Sequence, residues 1–467
     1  MKPQIKFFTI LCSGMLAVIA LNAAKPLYHH TEIAVPRNQS ITPHSEPVTP
    51  RKATDFLNSI GVNSAVSTRG ESLKKTIEIA KYLGIRWIRS GYEGNVPVAD
   101  LIEVYKQAGV RFSYGLLSGG TDINHLLEGG RQLAEAGALL AFEGLNEPNN
   151  WDITYNGEKG GKEQSWVAVA KVQRDLYVAV KKDTVLRKYP VWSLSENGAQ
   201  TDNTGLQFLE IPKGAGAAMP DGTKYADYAN CHNYFMHPSH PGLYDNQTWN
   251  AADPGLLCKV DGLYGNYGST WRAKFKGYEG DALQDLPRVT TETGATINGD
   301  LTEEKQARMF LNLYLAQFAR GWSYTALYLL RDRSDEAGNQ AFGFYKPDYT
   351  PRKSALYMHN LTSILAEPAA TGTENVAEVS KPGKLNYSIA KLPETTHHLL
   401  LQKGNGKFAL IVWAEKVRRV DEVKITFENA VSGKVYDPTL GALPVSSVEN
   451  SNAVTLTLSD HPMIIEI

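Results

Sequence analysis

Two glutamates stand in short motifs that suit acid–base chemistry. Glu147 lies in the triplet Asn-Glu-Pro, where an amide precedes the acid and a proline stiffens the following turn. Glu292 lies in the run Thr-Glu-Thr-Gly. Two carboxylates in one pocket can cleave a glycosidic bond, because one serves as acid and then base while the other attacks the anomeric carbon or activates water. A lone glutamate can equally be a solvated rim residue, so this chemistry needs a fold that brings both together.

From residue 54 to about residue 365 the sequence alternates helical and strand-like patterns. Residues 72–83 place apolar side chains on one helical face, Gly84 ends the helix, and a strand-like run follows. The eight strand-like runs are 61–67, 85–89, 110–117, 139–145, 191–195, 226–235, 288–292 and 323–330. Strands that alternate with helices imply parallel βαβ units, and eight such units fit a (β/α)8 TIM barrel.

An open doubly wound sheet is the alternative to the barrel. Residues 64–70 read SAVSTRG and lack the glycine-rich turn that usually follows the first strand of such a sheet. We therefore predict the barrel, in which functional side chains lie at the C-terminal ends of the strands. Glu147 then follows strand four and Glu292 ends strand seven, so both can face one central pocket.

Motifs at four strand ends carry a resemblance to a known group of enzymes. They are EGLNEP (143–148) after strand four, TETG (291–294) after strand seven, Arg89 after strand two and HNY (232–234) after strand six. Over residues 53–365 the chain resembles glycoside hydrolase clan A, the retaining (β/α)8 glycosidases. It looks most like the group around families 39 and 5, which includes bacterial exopolysaccharide endoglycosidases.

The resemblance implies a role for each matching residue. Glu147 would be the general acid/base and Glu292 the nucleophile of a two-step mechanism through a covalent glycosyl–enzyme intermediate. Asn146 would hold the sugar 2-hydroxyl.

Three further residues would support the pair. Arg89 would hold the Glu292 carboxylate and keep it ionised, Tyr234 would donate a hydrogen bond to it, and His232 would line the pocket. The alternatives are structural: Arg89 can pair with another acid of the barrel, and His232 and Tyr234 can be satisfied wall residues.

Aromatic residues near the pair indicate a sugar-binding surface. Strand eight lacks the tryptophan that many clan members use as a sugar floor, so we expect Tyr328 to substitute, and strand three lacks the histidine common in family 5. Trp151 and Tyr155 follow Asn-Glu-Pro. A long insertion between strands six and seven carries Tyr244, Trp249, Tyr264, Tyr267 and Trp271. Such rings either form the walls of a polysaccharide cleft or pin the loops to the barrel.

The two ends of the chain differ from its centre. After residue 360 short alternating runs separated by turn signals predict a β-sandwich over residues 366–467, packed on a barrel over 51–365. A basic flank and an apolar run from 7 to 21 predict a signal peptide over 1–24, cleaved or retained as an anchor. A proline-rich disordered linker over 25–50 would follow. The protein would then be secreted or periplasmic.

The charge balance and the cysteine content limit the classes of partner and cofactor that the sequence predicts. Lys and Arg total 48 against 49 Asp and Glu, so no net field favours nucleic acid or an anionic membrane. Without Cys-x-x-Cys pairs or a spaced oxygen-ligand loop, we assign no metal and no cofactor. Cys231 and Cys258 can form a disulfide or remain buried thiols. We expect a monomer whose partner is a polysaccharide or oligosaccharide.

Together these patterns predict a retaining glycoside hydrolase that cleaves β-glycosidic bonds of a polysaccharide. The length and aromatic content of the loops favour endo action. The alternatives are a non-catalytic polysaccharide-binding barrel and a transglycosylase that uses the same two glutamates.

Overall fold

The computed structural model describes the greater part of the chain. The described residues are 47–148, 150–161, 167–195, 224–235, 247–252, 286–299, 301–335, 341–367, 382–390, 392–393, 395–416 and 419–467. The predicted signal peptide lies outside them, as does most of the predicted linker. Cys258 also lies outside them, so the disulfide stays a prediction; Cys231 is buried. Across the described residues no helix has the length and apolar character needed to cross a membrane.

Helices and strands alternate through the first two thirds of the described residues. The strands are β1 (Arg51–Lys52), β2 (Ile60–Asn63), β3 (Trp87–Ser90), β4 (Arg111–Gly115), β5 (Leu139–Glu143), β6 (Ile153–Tyr155), β7 (Glu158–Gly160), β8 (Val191–Trp192), β9 (Ala229–Asn230), β10 (Arg288–Thr293), β11 (Trp322–Leu327), β12 (Tyr387–Ile389), β13 (Thr396–Gln402), β14 (Phe408–Ala414), β15 (Asp421–Tyr436), β16 (Ser446–Leu458) and β17 (Pro462–Glu466). The helices are α1 (Ala53–Ser59), α2 (Leu73–Leu83), α3 (Val98–Ala108), α4 (Ile123–Ala136), α5 (Val167–Lys182), α6 (Thr248–Ala251), α7 (Glu303–Ala319) and α8 (Lys353–Leu365).

Eight parallel strands form the predicted barrel. Their order in the sheet is β8-β5-β4-β3-β2-β11-β10-β9, which is the order of the chain taken around a ring. A parallel bridge between Trp192 and Tyr228 joins the two ends of this sheet. The (β/α)8 fold is thereby confirmed, and the C-terminal ends of all eight strands lie on one face.

The barrel interior has an apolar layer and, next to it, a polar layer. Trp87 packs edge-on against Trp192, with ring centroids 5.4 Å apart. Because side chains alternate along a strand, Arg89 points into the same interior one step nearer the C-terminal face. Glu143 and Thr291 likewise lie two positions beyond buried apolar residues of the first layer. The polar layer therefore lies directly beneath the face where functional groups are expected.

The C-terminal domain is the predicted antiparallel β-sandwich. The run of β14 is apolar throughout, and alternate residues belong to different cores. Ile411 and Trp413 pack with the barrel, whereas Leu410 and Val412 pack within the domain. Strand β15 bends at register shifts between Thr426 and Gly433, and it pairs with β12 before the bend and with β17 after it. The domain thus lies directly on the barrel.

The start of the barrel differs from the expected boundary at residue 51. Strand β1 pairs in parallel with β13 of the C-terminal sheet, and Val48 bridges Leu385. The first helix of the barrel begins at Ala53. A two-residue edge strand has no periodicity, so sequence patterning could not assign residues 47–52 to the distant C-terminal domain.

Candidate active site

Glu147 and Glu292 meet in one pocket at the C-terminal face of the barrel. The pocket has a volume of about 530 Å³, and its walls include both glutamates together with Asn146, Trp151 and Tyr328. One oxygen of each carboxylate and one ring nitrogen of His232 lie within 4.8 Å of one another. The fold therefore brings together the two acids that the sequence singled out.

Glu147 owes its position to an unusual backbone conformation. Its φ of 42° lies in the left-handed region, which residues with a Cβ rarely adopt. The carbonyl of Glu147 accepts hydrogen bonds from the N–H groups of Asn150 at 2.7 Å and Trp151 at 3.0 Å. The N–H of Glu147 points to Oγ of Ser195 at 3.4 Å. Strain of this kind persists where surrounding bonds enforce it and is concentrated at functional sites.

A bulge in strand β10 presents two successive side chains to the site. Thr290 pairs with Thr325 and Thr293 with Leu327, so β10 has one residue more than β11 over this stretch. Without a bulge, Thr291 and Glu292 would point to opposite faces of the strand. The extra residue re-aims the local backbone. Thr291 contacts the polar layer through His232, while Glu292 reaches the pocket.

Arg89 connects the polar layer to the pocket. Its side chain is fully buried and forms a forked ion pair with Glu143, with Nε and one terminal nitrogen 3.0 and 2.7 Å from Oε1. The other terminal nitrogen donates to Oε2 of Glu292 at 2.7 Å. The terminal nitrogen that binds Glu143 also donates to Oδ1 of Asn146 at 2.7 Å. Both sequence-based alternatives for Arg89 therefore hold at once, since it binds Glu292 and a second barrel acid.

Glu143 was not singled out from the sequence. A buried guanidinium needs compensating carboxylates, and an acid at the end of β5, two strands from Arg89 in the barrel, is the signal that could have identified it. Both polar atoms of the Asn146 side chain form hydrogen bonds within the protein, because Oδ1 accepts from Arg89 at 2.7 Å and Nδ2 donates to Oγ of Ser118 at 3.0 Å.

Tyr234 and His232 support the carboxylates from within the barrel. The Tyr234 hydroxyl donates to Oε1 of Glu292 at 2.6 Å. Nδ1 of His232 lies 2.7 Å from Oε1 of Glu147, and Nε2 lies 3.0 Å from Oγ1 of Thr291. His232 is fully buried, so the expectation that it lines the pocket is wrong. The carboxylate of Glu147 stands between its ring and the cavity.

Burial shapes the ionisation of the whole group. Desolvation raises the pKa of Glu147, opposed by the hydrogen bond from Asn150 and the charge of Arg89. Desolvation also raises the pKa of Glu292, and the charge of Glu147 adds to the rise, while His232, Arg89 and Tyr234 oppose it. The expected split of the two pKa values thus depends on their hydrogen bonds. Glu292 receives direct bonds from a cation and a phenol, so it is the first of the coupled pair to ionise.

His232 is neutral in the range in which proteins work. Desolvation lowers its pKa to about 4, because burial outweighs the favourable charge of Glu292.

The trio of Glu147, His232 and Glu292 has the ligand types of a metal site. Arg89 and Tyr234 already bond to the two oxygens of Glu292, and a guanidinium at this distance repels a cation. The donor set therefore suits proton chemistry better than metal binding.

A second group of charges lies at the pocket rim. Arg333 forms an ion pair with Glu93, and Arg69 contacts both Glu93 and Asp335 at 2.9 Å. Arg69, Glu93 and Arg333 line the pocket. Sequence reasoning missed this network, because its members come from loops after different strands.

The predicted aromatic residues fall into two sets. Trp151 is 48% exposed and lines the pocket, as does Tyr328, whose ring packs edge-on against Phe342 at 5.7 Å. Tyr155 instead donates to Asp175 of helix α5 at 2.9 Å.

Trp249 also has a structural role. Its ring stacks on His397 of the C-terminal domain, with centroids 4.0 Å apart. For Trp249 and Tyr155 the loop-pinning alternative is therefore the observed one. Tyr244, Tyr264, Tyr267 and Trp271 lie outside the described residues.

Comparison with solved structures shows the fold. The chain is similar to a family 39 glycoside hydrolase from Bacteroides cellulosilyticus WH2, with a TM-score of 0.54, 14% identity, and 90% of this chain and 83% of that chain covered. It is similar to CelM2, a bifunctional glucanase-xylanase from a metagenome library (TM-score 0.55, 10% identity, coverage 90% and 97%). A third similar structure is the GH51 α-L-arabinofuranosidase of Thermotoga petrophila RKU-1 (TM-score 0.53, 10% identity, coverage 90% and 98%).

No model of a known protein family matches the chain, and no curated protein matches it. The structural likeness confirms the (β/α)8 barrel fold that the sequence resemblance implied.

Proposed function

We propose that this protein is a retaining glycoside hydrolase that cleaves β-glycosidic bonds within a polysaccharide. The observation that carries the proposal is the approach of the Glu147 and Glu292 carboxylate oxygens to within 4.8 Å in one pocket. Retaining enzymes hold their two carboxyl groups about 5–5.5 Å apart, whereas inverting enzymes need about 6.5–9.5 Å to admit a water molecule. The observed spacing favours direct attack by one carboxylate.

The proposed reaction has two steps. Glu292 attacks the anomeric carbon while Glu147 gives its proton to the departing glycosidic oxygen, so that an ester to Glu292 forms as the glycosidic bond breaks. Glu147 then takes a proton from water, the resulting hydroxide attacks the anomeric carbon, and Glu292 leaves as a carboxylate. Asn146, which lines the pocket, would bind the sugar 2-hydroxyl.

Endo action on a polymer is supported by the pocket wall. The exposed ring of Trp151 stands beside the carboxylates and offers a flat apolar surface to a sugar ring beyond the reacting bond. Export to the periplasm or the medium, which would bring the protein to a polymeric substrate, rests on the N-terminal apolar run.

The deciding experiment is a screen of the purified protein on a panel of polysaccharides, with Glu147→Gln as the test variant. Glutamine keeps the shape of Glu147 but cannot donate the acid proton. We expect at least one glycan to be cleaved, and the variant to lose about 10²–10⁴-fold in rate. Glu158→Gln, an exposed acid on β7, is the matched control and should keep the wild-type rate. Equal rates for wild type and Glu147→Gln would refute the assignment, and binding without cleavage by the wild type would favour a non-catalytic barrel.

The wild-type pH profile gives a second prediction. Turnover requires Glu292 ionised and Glu147 protonated, so kcat/KM should rise with pH as Glu292 loses its proton and fall as Glu147 does. Because burial raises the pKa of both groups, both limbs should lie above the pKa of a free glutamate, which is about 4.3. A profile measured between pH 3 and 10 tests this. A rate that keeps increasing at alkaline pH would contradict the acid role of Glu147.

A further inference from the structure

His232 connects Glu147 to two buried side chains that the proposed mechanism does not use. One ring nitrogen, Nδ1, lies 2.7 Å from Oε1 of Glu147, and the other, Nε2, lies 3.0 Å from Oγ1 of Thr291. Oγ1 of Thr291 in turn lies 2.9 Å from Oε1 of Glu143. His232, Thr291 and Glu143 are all fully buried. The four side chains form one continuous hydrogen-bonded row from the polar layer to the pocket.

The direction of these hydrogen bonds follows from the donors that each group has. The single hydroxyl hydrogen of Thr291 has three acceptors within reach: Glu143 at 2.9 Å, His232 at 3.0 Å and Oδ1 of Asn230 at 3.2 Å. Glu143 is paired with Arg89 and can only accept. A hydrogen bond to a charged oxygen is about twice as strong as one between neutral groups. Thr291 therefore donates to Glu143. Its oxygen has two lone pairs, so it accepts from Nδ2 of Asn230 at 3.0 Å and is also free to accept the hydrogen of Nε2 of His232.

This arrangement fixes the tautomer of the histidine. A neutral imidazole has one N–H, so with Nε2 protonated, Nδ1 faces Glu147 with a lone pair. Two acceptors 2.7 Å apart repel each other, and the contact is favourable when Glu147 holds a proton and donates it to Nδ1. We propose that Thr291 and Glu143 are positioning residues that hold His232 in its Nε2–H tautomer and thereby keep the acid proton on Glu147.

The surroundings of Nδ1 would otherwise favour the opposite tautomer. Nδ1 lies 3.4 Å from Oε2 of Glu292 as well as 2.7 Å from Glu147. A hydrogen on Nδ1 would be attracted by both carboxylates and would stabilise Glu147 as an anion. The Glu143–Thr291 pair opposes this by making Nε2 the better place for the hydrogen.

Three other titratable or charged groups act on Glu147. The charge of Arg89 favours the ionised form of Glu147, whereas a negative charge on Glu292 disfavours a second one beside it. Burial and the two carboxylates raise the pKa of Tyr234, so its phenol stays neutral beside them. Oε1 is the oxygen of Glu147 that faces His232, at 2.7 Å from Nδ1. The Nδ1 lone pair serves both steps of the proposed reaction: it keeps the proton on Glu147 before the first step and makes Glu147 a better base in the second.

The inference rests on the proposed function, and the test compares Thr291→Val with Thr291→Ser. Valine matches the shape of threonine but has no hydroxyl, so it can neither donate to Glu143 nor accept from Nε2 of His232. His232 should then adopt the Nδ1–H tautomer, donate to Glu147 and lower its pKa. We expect the alkaline limb of kcat/KM to move about one pH unit lower, a loss of about tenfold at high pH with little change at low pH. Thr291→Ser keeps the hydroxyl and should follow the wild-type profile.

A spectroscopic readout tests the same idea without activity. In the full chain with ¹⁵N-labelled histidine, the His232 signal, assigned by its loss in His232→Gln, should show Nε2–H in the wild type and Nδ1–H in Thr291→Val. Nδ1–H in the wild type would overturn the inference even if the valine variant failed to fold. An unshifted alkaline limb in folded Thr291→Val, or an equal shift in Thr291→Ser, would overturn it too. If no glycan is cleaved by the wild type, the proposed function fails instead, and the NMR result still decides the tautomer.

Discussion

Replacing Glu292 by glycine is expected to lower glycoside hydrolysis by at least about 10³-fold, as removal of a covalent nucleophile does in other enzymes, and to make the remaining activity respond to azide. The substitution removes the attacking carboxylate and leaves a small space beside Arg89 and Tyr234. Azide is small and anionic, so it can enter this space, pair with Arg89 and attack the anomeric carbon in place of Glu292. The product should be a glycosyl azide of inverted configuration, because only one displacement occurs.

The measurement needs an activated aryl glycoside and product analysis by NMR with and without azide. Glu158→Gln is again the matched control, since it removes an exposed carboxylate that does not line the pocket and should neither lose activity nor respond to azide. Hydrolysis by Glu292→Gly at the wild-type rate would exclude Glu292 as the nucleophile. If the wild type itself released a sugar of inverted anomeric configuration, the retaining mechanism would be wrong even with both glutamates essential.

The helices and the barrel could be predicted because their signals are local. Helix α2 lies within the predicted run 72–83, and α2, α3 and α4 each have an amphipathic pattern and a glycine just after the last turn. Gly109 and Gly137 adopt φ of 69° and 78°, the left-handed conformation that ends a helix and that glycine adopts at little cost. The regular strands β8 and β9 are shorter than predicted, because beyond them the pairing continues only as isolated bridges, between Asn146 and Ser195 and between Trp192 and Tyr228.

The parts of the site that could not be predicted depend on non-local contacts. Thr291 and Glu292 are neighbours in sequence, and strand alternation places one of them away from the pocket. The bulge that turns both inward is visible only in the register with β11. Glu143 is the first residue of the EGLNEP motif, but no role could be assigned to it there, because its role comes from an ion pair with Arg89, two strands away in the barrel. The motif around Glu147 could be recognised from the sequence because the amide, the carboxylate and the proline that stiffens the turn are three consecutive residues.

One cation organises the whole candidate site. Arg89 binds Glu292, the proposed nucleophile, through one nitrogen and Glu143 through two others. Glu143 in turn accepts from Thr291, which contacts His232, and His232 contacts Glu147, the proposed acid. Both glutamates therefore interact with the same buried cation, one directly and one through this row. Loss of Arg89 should change the stability of the fold and the ionisation of both glutamates together.

Arg89→Met is accordingly expected to destabilise the protein by about 3–5 kcal/mol at neutral pH, the usual cost of leaving a buried charge without its partner. Methionine fills much of the volume but leaves Glu143 and Glu292 buried without a cation. The free energy of unfolding, measured in urea, gives the size of the loss. Arg131→Met removes a half-exposed arginine paired with Asp183 and is the matched control, for which a loss of no more than about 1 kcal/mol is expected.

The loss should depend on pH in a defined direction. Without Arg89, the pKa of Glu292 rises further, so the folded variant keeps a proton that the unfolded chain releases near its ordinary pKa of about 4.3. Because the native state then binds more protons, its stability falls as pH rises through the interval between these two pKa values. The difference from wild type should thus be smaller at pH 5 than at pH 8, and the acid limb of kcat/KM should move to higher pH. A loss that is equal at both pH values and no larger than that of Arg131→Met would show that Arg89 does not hold the charge of this site.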